Sequence, residues 1–415
     1  MTWELGIAIL ALLIAIAALL GGLSNRRAIQ EIRRENRKNR FSISSRLPSG
    51  ALNEQTGPPY VIYNPTKVAD WDYLRKLMAR AAADASLPEP VWVRTTPEDT
   101  GAGQTARAIA AGASVVIAAG GDGTVRAVAE GLIDSDIPLG LLPVGTGNIL
   151  ARNLDLPLGN PREMAIIALT GHNRVIDVGR IRITQPEEAH TSVRPDLAAL
   201  EADLAKPERT RTRAQMEVAA QEAAAKDNVP YARDGEHIFV ANAGIGFDAA
   251  LIEEADGQDL KSKVGWLAYV KAAIPHLFAD KMNAVITTPK LQEGITTEAR
   301  SVMFLNCGEL IAGVTIDPGT KFDDGWLELA VLDTRGGIIG WADLVRRLGL
   351  QGMGIKRVDI PGVSSVGDFN VHRISECTVI TDAVHPVQAD GDMLGYAREI
   401  SAQIIPNALH VRVRN

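Results

Sequence analysis

Two glycine-rich segments contain the residues of this sequence best suited to chemistry. Gly120–Thr124 follows the apolar run Val115–Ala119, Gly145–Asn148 follows Leu139–Val144, and a helical pattern comes after each. Glycine lets backbone amides approach phosphate oxygens, and a helix N-terminus adds partial positive charge, so each segment predicts a phosphate-binding loop. Loops that follow neighbouring strands of a parallel sheet face one crevice. Together the two loops predict a nucleotide site.

Side chains of the first loop add further binding groups. Thr124 can donate a hydroxyl, and Asp122 can hold a ribose hydroxyl, a phosphate-bound Mg²⁺ or the loop itself. Neither loop has the GxGxxG spacing of a dinucleotide fold, with an acidic residue about 20 residues later, or the GK[ST] ending of a Walker A loop. The pattern therefore indicates another class of nucleotide-binding protein.

The elements that must position these loops alternate between strand and helix. The sequence predicts strands at Tyr60–Tyr63, Val91–Val93, Val115–Ala119 and Pro138–Leu142, and helices at Trp71–Ala83, Thr105–Ala111, Val125–Ile133 and near Asn148. This alternation is typical of a parallel α/β sheet. Further strands are predicted at His237–Ala241, Ser301–Cys307, Trp326–Leu332, Glu376–Thr381 and His410–Val413, with helices near Lys261–Leu277 and Trp341–Leu350. They indicate a mainly antiparallel second domain.

Six motifs together resemble the diacylglycerol kinase catalytic-domain family, which includes bacterial lipid kinases and the sphingosine and ceramide kinases. They occur in family order at Asn64–Thr66, Gly120–Thr124, Pro143–Asn148 with Ala151-Arg152, Gly244–Asp248, Asp323–Gly325 and Asp390–Asp392. The resemblance implies an α/β nucleotide-binding domain and a mainly antiparallel β-sandwich domain, with the active site between them. It also implies a final strand that returns to the first domain.

The resemblance implies roles for single residues. ATP would contact Asn64, Pro65, Thr66, Lys67, Thr96, Gly120, Gly121, Asp122, Gly123, Thr124, Gly145, Thr146, Gly147 and Asn148. A structural Mg²⁺ would be held by the Asp324 carboxylate and the carbonyls of Lys321 and Trp326, although Asp324-Gly325 is equally typical of a hairpin turn. Asp392 would take the proton from a lipid hydroxyl, although Asp390-Gly391 is also an ordinary turn signal.

Three places depart from the family pattern. Asp392 stands where the family has Glu, so the base is one methylene shorter and its reach is reduced. Arg126-Ala127 replaces a frequent Asn-Glu pair, and Ile149 replaces a frequent Asp. The change at Ile149 removes a polar or metal-linked contact near the phosphates, and it weakens the case for diacylglycerol more than the case for a kinase.

The activity that the resemblance implies is transfer of phosphate from ATP to diacylglycerol, which gives phosphatidic acid. A kinase for a sphingoid or other lipid alcohol remains an alternative. An NAD kinase-like enzyme also remains, because NAD kinases share the GGDGT loop, and so does a catalytically inactive, membrane-bound nucleotide sensor. The implied cofactors are ATP and Mg²⁺, and the implied partner is a lipid in the membrane, with a homodimer left open.

The N-terminus predicts a membrane anchor. Leu5–Leu23 is an uninterrupted run of 19 apolar or glycine residues, about the length that a helix needs to cross the hydrocarbon core. Eight Lys or Arg residues follow between Arg26 and Arg46, so the positive-inside rule puts the remaining chain in the cytoplasm. We therefore predict a single-pass protein of the cell membrane with cytoplasmic catalytic domains.

The composition argues against three other classes: nucleic-acid-binding proteins, disulfide-rich proteins and zinc enzymes. The formal charge of −7 argues against nucleic-acid binding, the two cysteines cannot form a disulfide framework, and the seven histidines lack zinc-ligand spacing. The predicted organisation is a transmembrane helix (1–24), a basic segment and linker (25–58), an ATP-binding domain (59–180, completed by about 400–415), an Ala/Glu-rich helical or disordered insertion (181–235) and a β-rich second domain (236–399).

Overall fold

A computed structural model describes residues 57–67, 69–184, 235–257, 281–289, 291–310, 319–334 and 367–414. The predicted membrane helix, the basic segment and almost all of the insertion lie outside these residues, as do the helices predicted near Lys261–Leu277 and Trp341–Leu350. In the part of the chain that the structure describes, no helix is both long and apolar enough to span a bilayer.

The first region is an α/β unit. Its elements are β1 (Tyr60–Tyr63), α1 (Trp71–Asp84), β2 (Val91–Arg94), α2 (Ala102–Ala110), β3 (Val116–Ala119), α3 (Asp122–Leu132), β4 (Leu139–Leu141), α4 (Ile149–Asn153) and α5 (Pro161–Thr170). The strands are parallel in the order β2-β1-β3-β4, and β3 and β4 are fully buried. The carboxyl ends of these strands therefore share one edge of the sheet.

Local sequence signals explain where these helices begin. The Asp70 side chain accepts a hydrogen bond from the Tyr73 amide at the start of α1, and Asn160 does the same for Glu163 at the start of α5, where Pro161 fits the first turn. By contrast, no side chain caps α3, which begins directly after Gly121. The free amides of its first turn therefore point into the edge where the strands end.

The second region is rich in antiparallel strands. It contains β5 (His172–Thr184), β6 (Glu236–Phe239), β7 (Asn242–Gly246), α6 (Phe247–Gly257), β8 (Met282–Thr288), β9 (Leu291–Ala299), β10 (Ser301–Leu305), β11 (Leu327–Thr334), β12 (Gly367–Ile374), β13 (Glu376–Ala389) and β14 (Asp392–Val413). Strands β7, β10, β11 and β12 are joined in that order, while β13 pairs with β7 near its end and with β8 near its start. Apolar side chains of this region form a core separate from that of the α/β unit.

The final strand connects the two regions. Strand β14 pairs with β13 and β5 in antiparallel fashion, and Val411 pairs in parallel with Leu139 of β4. The end of the chain therefore adds a strand to the parallel sheet. The two regions are therefore joined through the end of β14 that lies away from the β13–β14 hairpin.

The predicted fold class is confirmed for the α/β unit and for a sheet-rich second region. Helix α3 begins three residues earlier than predicted, because the glycine loop leads into it without an intervening cap. Strand β5 continues past the predicted boundary at 180, and the hairpin β8–β9 was missed. Polar residues such as Asn283 and Thr296 interrupt the apolar pattern of that hairpin, which hid its strands.

Candidate active site

The two glycine loops lie side by side at the carboxyl edge of the parallel sheet. The Val144 amide donates to the Gly120 carbonyl at 3.0 Å, which continues the pairing of β3 and β4 into the loops. A Cβ atom placed on Gly145 would lie 2.6 Å from the Gly121 Cα. Because this contact joins backbone to backbone, only glycine at position 145 allows such a close approach.

Asp122 joins the first loop to the second. Its Oδ2 accepts from the Asn148 amide at 2.8 Å, and its Oδ1 accepts from the Ile149 amide at 2.6 Å. Burial raises the pKa of Asp122, and the Asp392 carboxylate contributes to the rise, whereas the two amides oppose it. Of the three roles predicted for Asp122, the structure shows the one in which it holds the loop.

Asn148 closes the second loop upon itself. The residue has a left-handed backbone (φ 50°), its Oδ1 accepts from the Gly145 amide at 3.2 Å, and its Nδ2 donates to the Gly145 carbonyl at 2.7 Å. Arg152 Nε donates to the Gly147 carbonyl at 2.7 Å. Thr146 is exposed at the tip of this loop. The shape of the loop is therefore set by hydrogen bonds from Asn148 and from Arg152 of α4.

The loop after β1 adds a positive charge to the crevice. Asn64 Oδ1 accepts from the amide and the hydroxyl of Thr66, which shapes the loop that contains Pro65. A Cβ atom on Gly121 would lie 3.8 Å from Lys67 Nζ, so the ammonium group lies over the first glycine loop. An ammonium group in this position can bind a phosphate oxygen.

Two further predicted ATP contacts have different surroundings. Thr96 is exposed just after β2, at the same sheet edge, and its hydroxyl accepts from the Asp99 amide. Thr124 is buried in α3, where its hydroxyl lies against Gly120. Thr96 is therefore open to a ligand, whereas Thr124 packs beneath the loop.

Asp392 reaches the same crevice from the second region. A Cβ atom on Gly123 would lie 2.3 Å from Asp392 Oδ2, so the carboxylate lies directly on the first turn of α3. Arg126 Nη2 donates to the same oxygen at 2.9 Å, and Arg126 Nη1 donates to the Ala389 carbonyl at 2.7 Å. The structure thus brings the predicted base to the predicted phosphate loop, and its partner Arg126 is 266 residues away in sequence.

The turn that carries Asp392 is a two-residue hairpin between β13 and β14. Asp390 and Gly391 both have positive φ, 50° and 85°, as a tight turn of this kind requires. The buried Asp390 carboxylate accepts from the amides of Val240, Ala241 and Asn242. Burial raises the pKa of Asp390 to about 6, although the charge of Arg126 and the three amides oppose the rise.

Comparison with known proteins finds a family match for the first region. Residues 58–181 match the family of the diacylglycerol kinase catalytic domain. The diacylglycerol kinase of Mycobacterium tuberculosis H37Rv is 46% identical over 77 residues, which are 19% of this chain and 25% of that protein. The diacylglycerol kinase of Bacillus subtilis 168 is 33% identical over 127 residues, 29% of this chain and 41% of that protein.

The structural comparison extends over both regions. A crystal structure of a diacylglycerol kinase from Bacillus anthracis covers 86% of this chain and 96% of its own, with a TM-score of 0.53 and 17% identity. This likeness establishes the fold. The sequence match to the Mycobacterium relative spans only about a quarter of that protein. The family match itself covers residues 58–181.

A buried polar network beside the α/β unit was missed by the sequence analysis. Asp248 accepts from the Ser301 hydroxyl and, at 2.9 Å, from Gln388 Nε2, while Gln388 Oε1 accepts from the Gly391 amide at 3.1 Å. Burial raises the pKa of Asp248, and these two side chains oppose the rise. Through Gln388, this network is hydrogen-bonded to the hairpin that carries Asp392. The motif Gly244–Asp248 was its only sequence signal, since Ser301 and Gln388 are distant in sequence.

The predicted magnesium ligands lie in a turn of the second region, outside the α/β unit. Asp324 Oδ2 accepts from Arg373 Nη2, and its Oδ1 accepts from the Trp326 amide at 3.3 Å. A guanidinium group on the only carboxylate of the set disfavours a cation there. Among the described residues no group of three or more His, Cys, Asp and Glu side chains has a metal-binding arrangement. The roles of Lys321, Asp324 and Trp326 thus remain a prediction that the arrangement does not favour.

Proposed function

We propose that this chain is an ATP-dependent lipid kinase that transfers the γ-phosphate of ATP to the hydroxyl of a membrane lipid alcohol, with diacylglycerol as the favoured acceptor. The family of residues 58–181 and the names of the relatives support the kinase reaction. The observation that carries the proposal is the contact of the Asp392 carboxylate with Gly123, at the uncapped start of α3.

The residues of the crevice divide the reaction between them. The amides of the glycine loops and of the first turn of α3, together with Lys67, bind the phosphates and offset their negative charge. Asp392 accepts the proton of the lipid hydroxyl as its oxygen attacks the γ-phosphorus, and ADP leaves with the electrons of the broken phosphorus–oxygen bond. The products are ADP and a lipid phosphate, which is phosphatidic acid when the acceptor is diacylglycerol.

Mg²⁺ belongs to the proposal as the partner of the bound nucleotide. It would supply positive charge to the phosphate oxygens. Since the arrangement pairs Asp324 with Arg373, we assign no step of the reaction to a cation at that turn.

The membrane is the proposed place of action. The apolar run Leu5–Leu23 and the basic residues that follow it support a single-pass anchor with the kinase domain on the cytoplasmic side. An anchored enzyme meets a lipid acceptor at high effective concentration, whereas a soluble acceptor gains nothing from the anchor. This argument favours a lipid over NAD as the phosphate acceptor.

The proposal is tested by phosphate transfer in mixed micelles. Purified full-length protein is incubated with Mg²⁺, γ-labelled ATP and, in separate reactions, diacylglycerol, monoacylglycerol, ceramide, sphingosine and NAD. We expect label in phosphatidic acid and a loss of about 1,000-fold in kcat for Asp392→Asn, because an amide cannot accept the proton. Asp84→Asn is the matched control, since Asp84 is exposed at the far end of α1.

Each other outcome points to a different function. Label in ceramide or sphingosine alone would retain the reaction and change the acceptor. Label in NAD alone would establish the NAD kinase-like alternative. If ATP binds and no acceptor is labelled, the chain is a nucleotide sensor and the proposal is wrong.

A further inference from the structure

Arg126 makes two contacts that no other described side chain makes, both with the hairpin that carries Asp392. One terminal nitrogen donates to the Ala389 carbonyl, just before the turn, and the other donates to the Asp392 carboxylate, just after it. Arg126 therefore forms hydrogen bonds with the residues on both sides of the turn. Its own position is fixed by α3, the helix whose first turn faces the nucleotide crevice.

The two side chains of this ion pair differ in how much of their surface is exposed. The Arg126 side chain is 17% exposed, whereas the Asp392 side chain is 47% exposed. The arginine is thus enclosed between the two regions and presents the carboxylate outward. Oδ2 of Asp392 accepts the hydrogen bond from Arg126, while Oδ1 has no hydrogen-bond partner among the described residues. This arrangement leaves one carboxylate oxygen for a hydroxyl group.

Among the described residues, the other hydrogen bonds of the hairpin turn lie on the side of the second region. Asp390 attaches the turn to the amides at the junction of β6 and β7, and Gln388 attaches it to the Asp248 network. These contacts fix the turn within its own sheet. They do not fix the distance from Asp392 to the phosphate loop, whereas the contacts of Arg126 do.

From these contacts, and building on the function proposed above, we propose that Arg126 is a positioning residue for the phosphoryl transfer. It draws the hairpin onto α3 so that the short Asp392 side chain lies against Gly123, within reach of the acceptor hydroxyl. A carboxylate one methylene shorter than glutamate reaches less far by about one carbon–carbon bond. Arg126 compensates for this shorter reach because it brings the whole β13–β14 hairpin closer to α3.

The test compares kcat, the KM for ATP and chemical rescue. With the acceptor that the wild-type protein uses in mixed micelles, we expect Arg126→Ala to lower kcat about 100-fold, because a displacement of about 1 Å is enough for such a loss, and to leave the KM for ATP unchanged. Low millimolar guanidinium should restore part of the kcat. In the Asp392→Asn background, Arg126→Ala should add no further loss, because Arg126 acts through Asp392.

Arg414→Ala is the matched control. Arg414 pairs with Glu163 at 2.7 Å on the α5 side of the α/β unit, where the arginine is more exposed than Arg126. This variant should keep the wild-type kcat and show no response to guanidinium. Fold loss in Arg126→Ala is checked by hydrogen exchange, in which only the peptide that contains residues 388–394 should exchange faster.

Several results would overturn the inference. A raised KM for ATP with an unchanged kcat would make Arg126 a nucleotide ligand, and a further loss in the Asp392→Asn background would give it a role independent of the hairpin. Unchanged exchange in residues 388–394 would show that Arg126 does not hold the turn. If the wild-type protein labels no acceptor, the proposed function fails, and the exchange experiment alone decides whether Arg126 docks the hairpin.

Discussion

Two Asp-Gly turns in the described part of the second region look alike in sequence and differ in what they face. Each has an aspartate paired with an arginine: Asp392 with Arg126, and Asp324 with Arg373. In the first pair the acid is 47% exposed and the arginine 17%, whereas in the second pair the acid is 18% exposed and the arginine 52%. The more exposed carboxylate is therefore the one whose arginine is the less exposed.

The two turns are also anchored differently. The hairpin of Asp392 is held by the buried Asp390, and it lies on the first turn of α3. The turn of Asp324 is held by the buried Asp177, which accepts from the amides of Gly325 and Asn407 at 2.7 Å. Each turn is fixed by a buried aspartate that accepts hydrogen bonds from backbone amides. The Asp-Gly dipeptide therefore does not distinguish the two turns, whereas the residues that each turn faces do.

The largest effect on kcat is expected when a side chain fills the space between α3 and the hairpin that carries Asp392. In Gly123→Ala the new methyl group would lie 2.3 Å from Asp392 Oδ2, and the flexible carboxylate must rotate away. We expect kcat to fall about 1,000-fold, as for loss of a general base. Stability should change little, because alanine favours the helix by up to about 1 kcal/mol while an ion pair of similar size is lost.

The control for this prediction is another glycine. A Cβ atom on Gly159 would meet nothing within 4 Å, so Gly159→Ala should keep wild-type kinetics and thermal stability. Micelle kinetics and thermal unfolding of both variants provide the comparison. Normal activity in Gly123→Ala would show that the contact between Asp392 and α3 is not needed, and the difference between the two turns would lose its functional meaning.

The second prediction concerns the pH dependence of the Asp390 anchor. Its pKa is raised from 3.8 to about 6, so the folded state binds a proton more tightly than the unfolded state does. The resulting stability is complete below pH 4 and is lost as the pH rises through 6, a change of about 3 kcal/mol from this group. Urea unfolding between pH 4 and 7 should show this decrease.

Asp390→Asn is the comparison for that measurement. Asparagine cannot ionise, so the variant should lack this part of the pH dependence even if its overall stability is lower. An identical slope of unfolding free energy against pH in both proteins would contradict the prediction. The hairpin would then be anchored by a carboxylate with an ordinary pKa.

The sequence predicted which segments form this site and missed the side-chain bonds between them. The glycine loops and the Asp390-Gly391 turn could be predicted because their backbone shapes depend on a few consecutive residues. The bond from Asp122 to the Ile149 amide and the pair of Arg126 with Asp392 join residues far apart in the chain, which a single sequence does not reveal. Arg126 was noticed only as a departure from the family pattern.

The smallest expected effect is that of a substitution in the turn that contains Asp324. Asp324→Asn removes the pair with Arg373, whose arginine is half exposed, and should lower the free energy of unfolding by about 1 kcal/mol. Because Arg373 already satisfies the carboxylate, kcat should stay at the wild-type value, and thermal unfolding with Mg²⁺ or with EDTA should shift equally in both proteins. A Mg²⁺-dependent stabilisation that only the wild type shows would establish the cation site at Lys321, Asp324 and Trp326. In that case Arg373 would have to leave the carboxylate when the ion binds, and the two turns would differ in their ligands as well as in their neighbours.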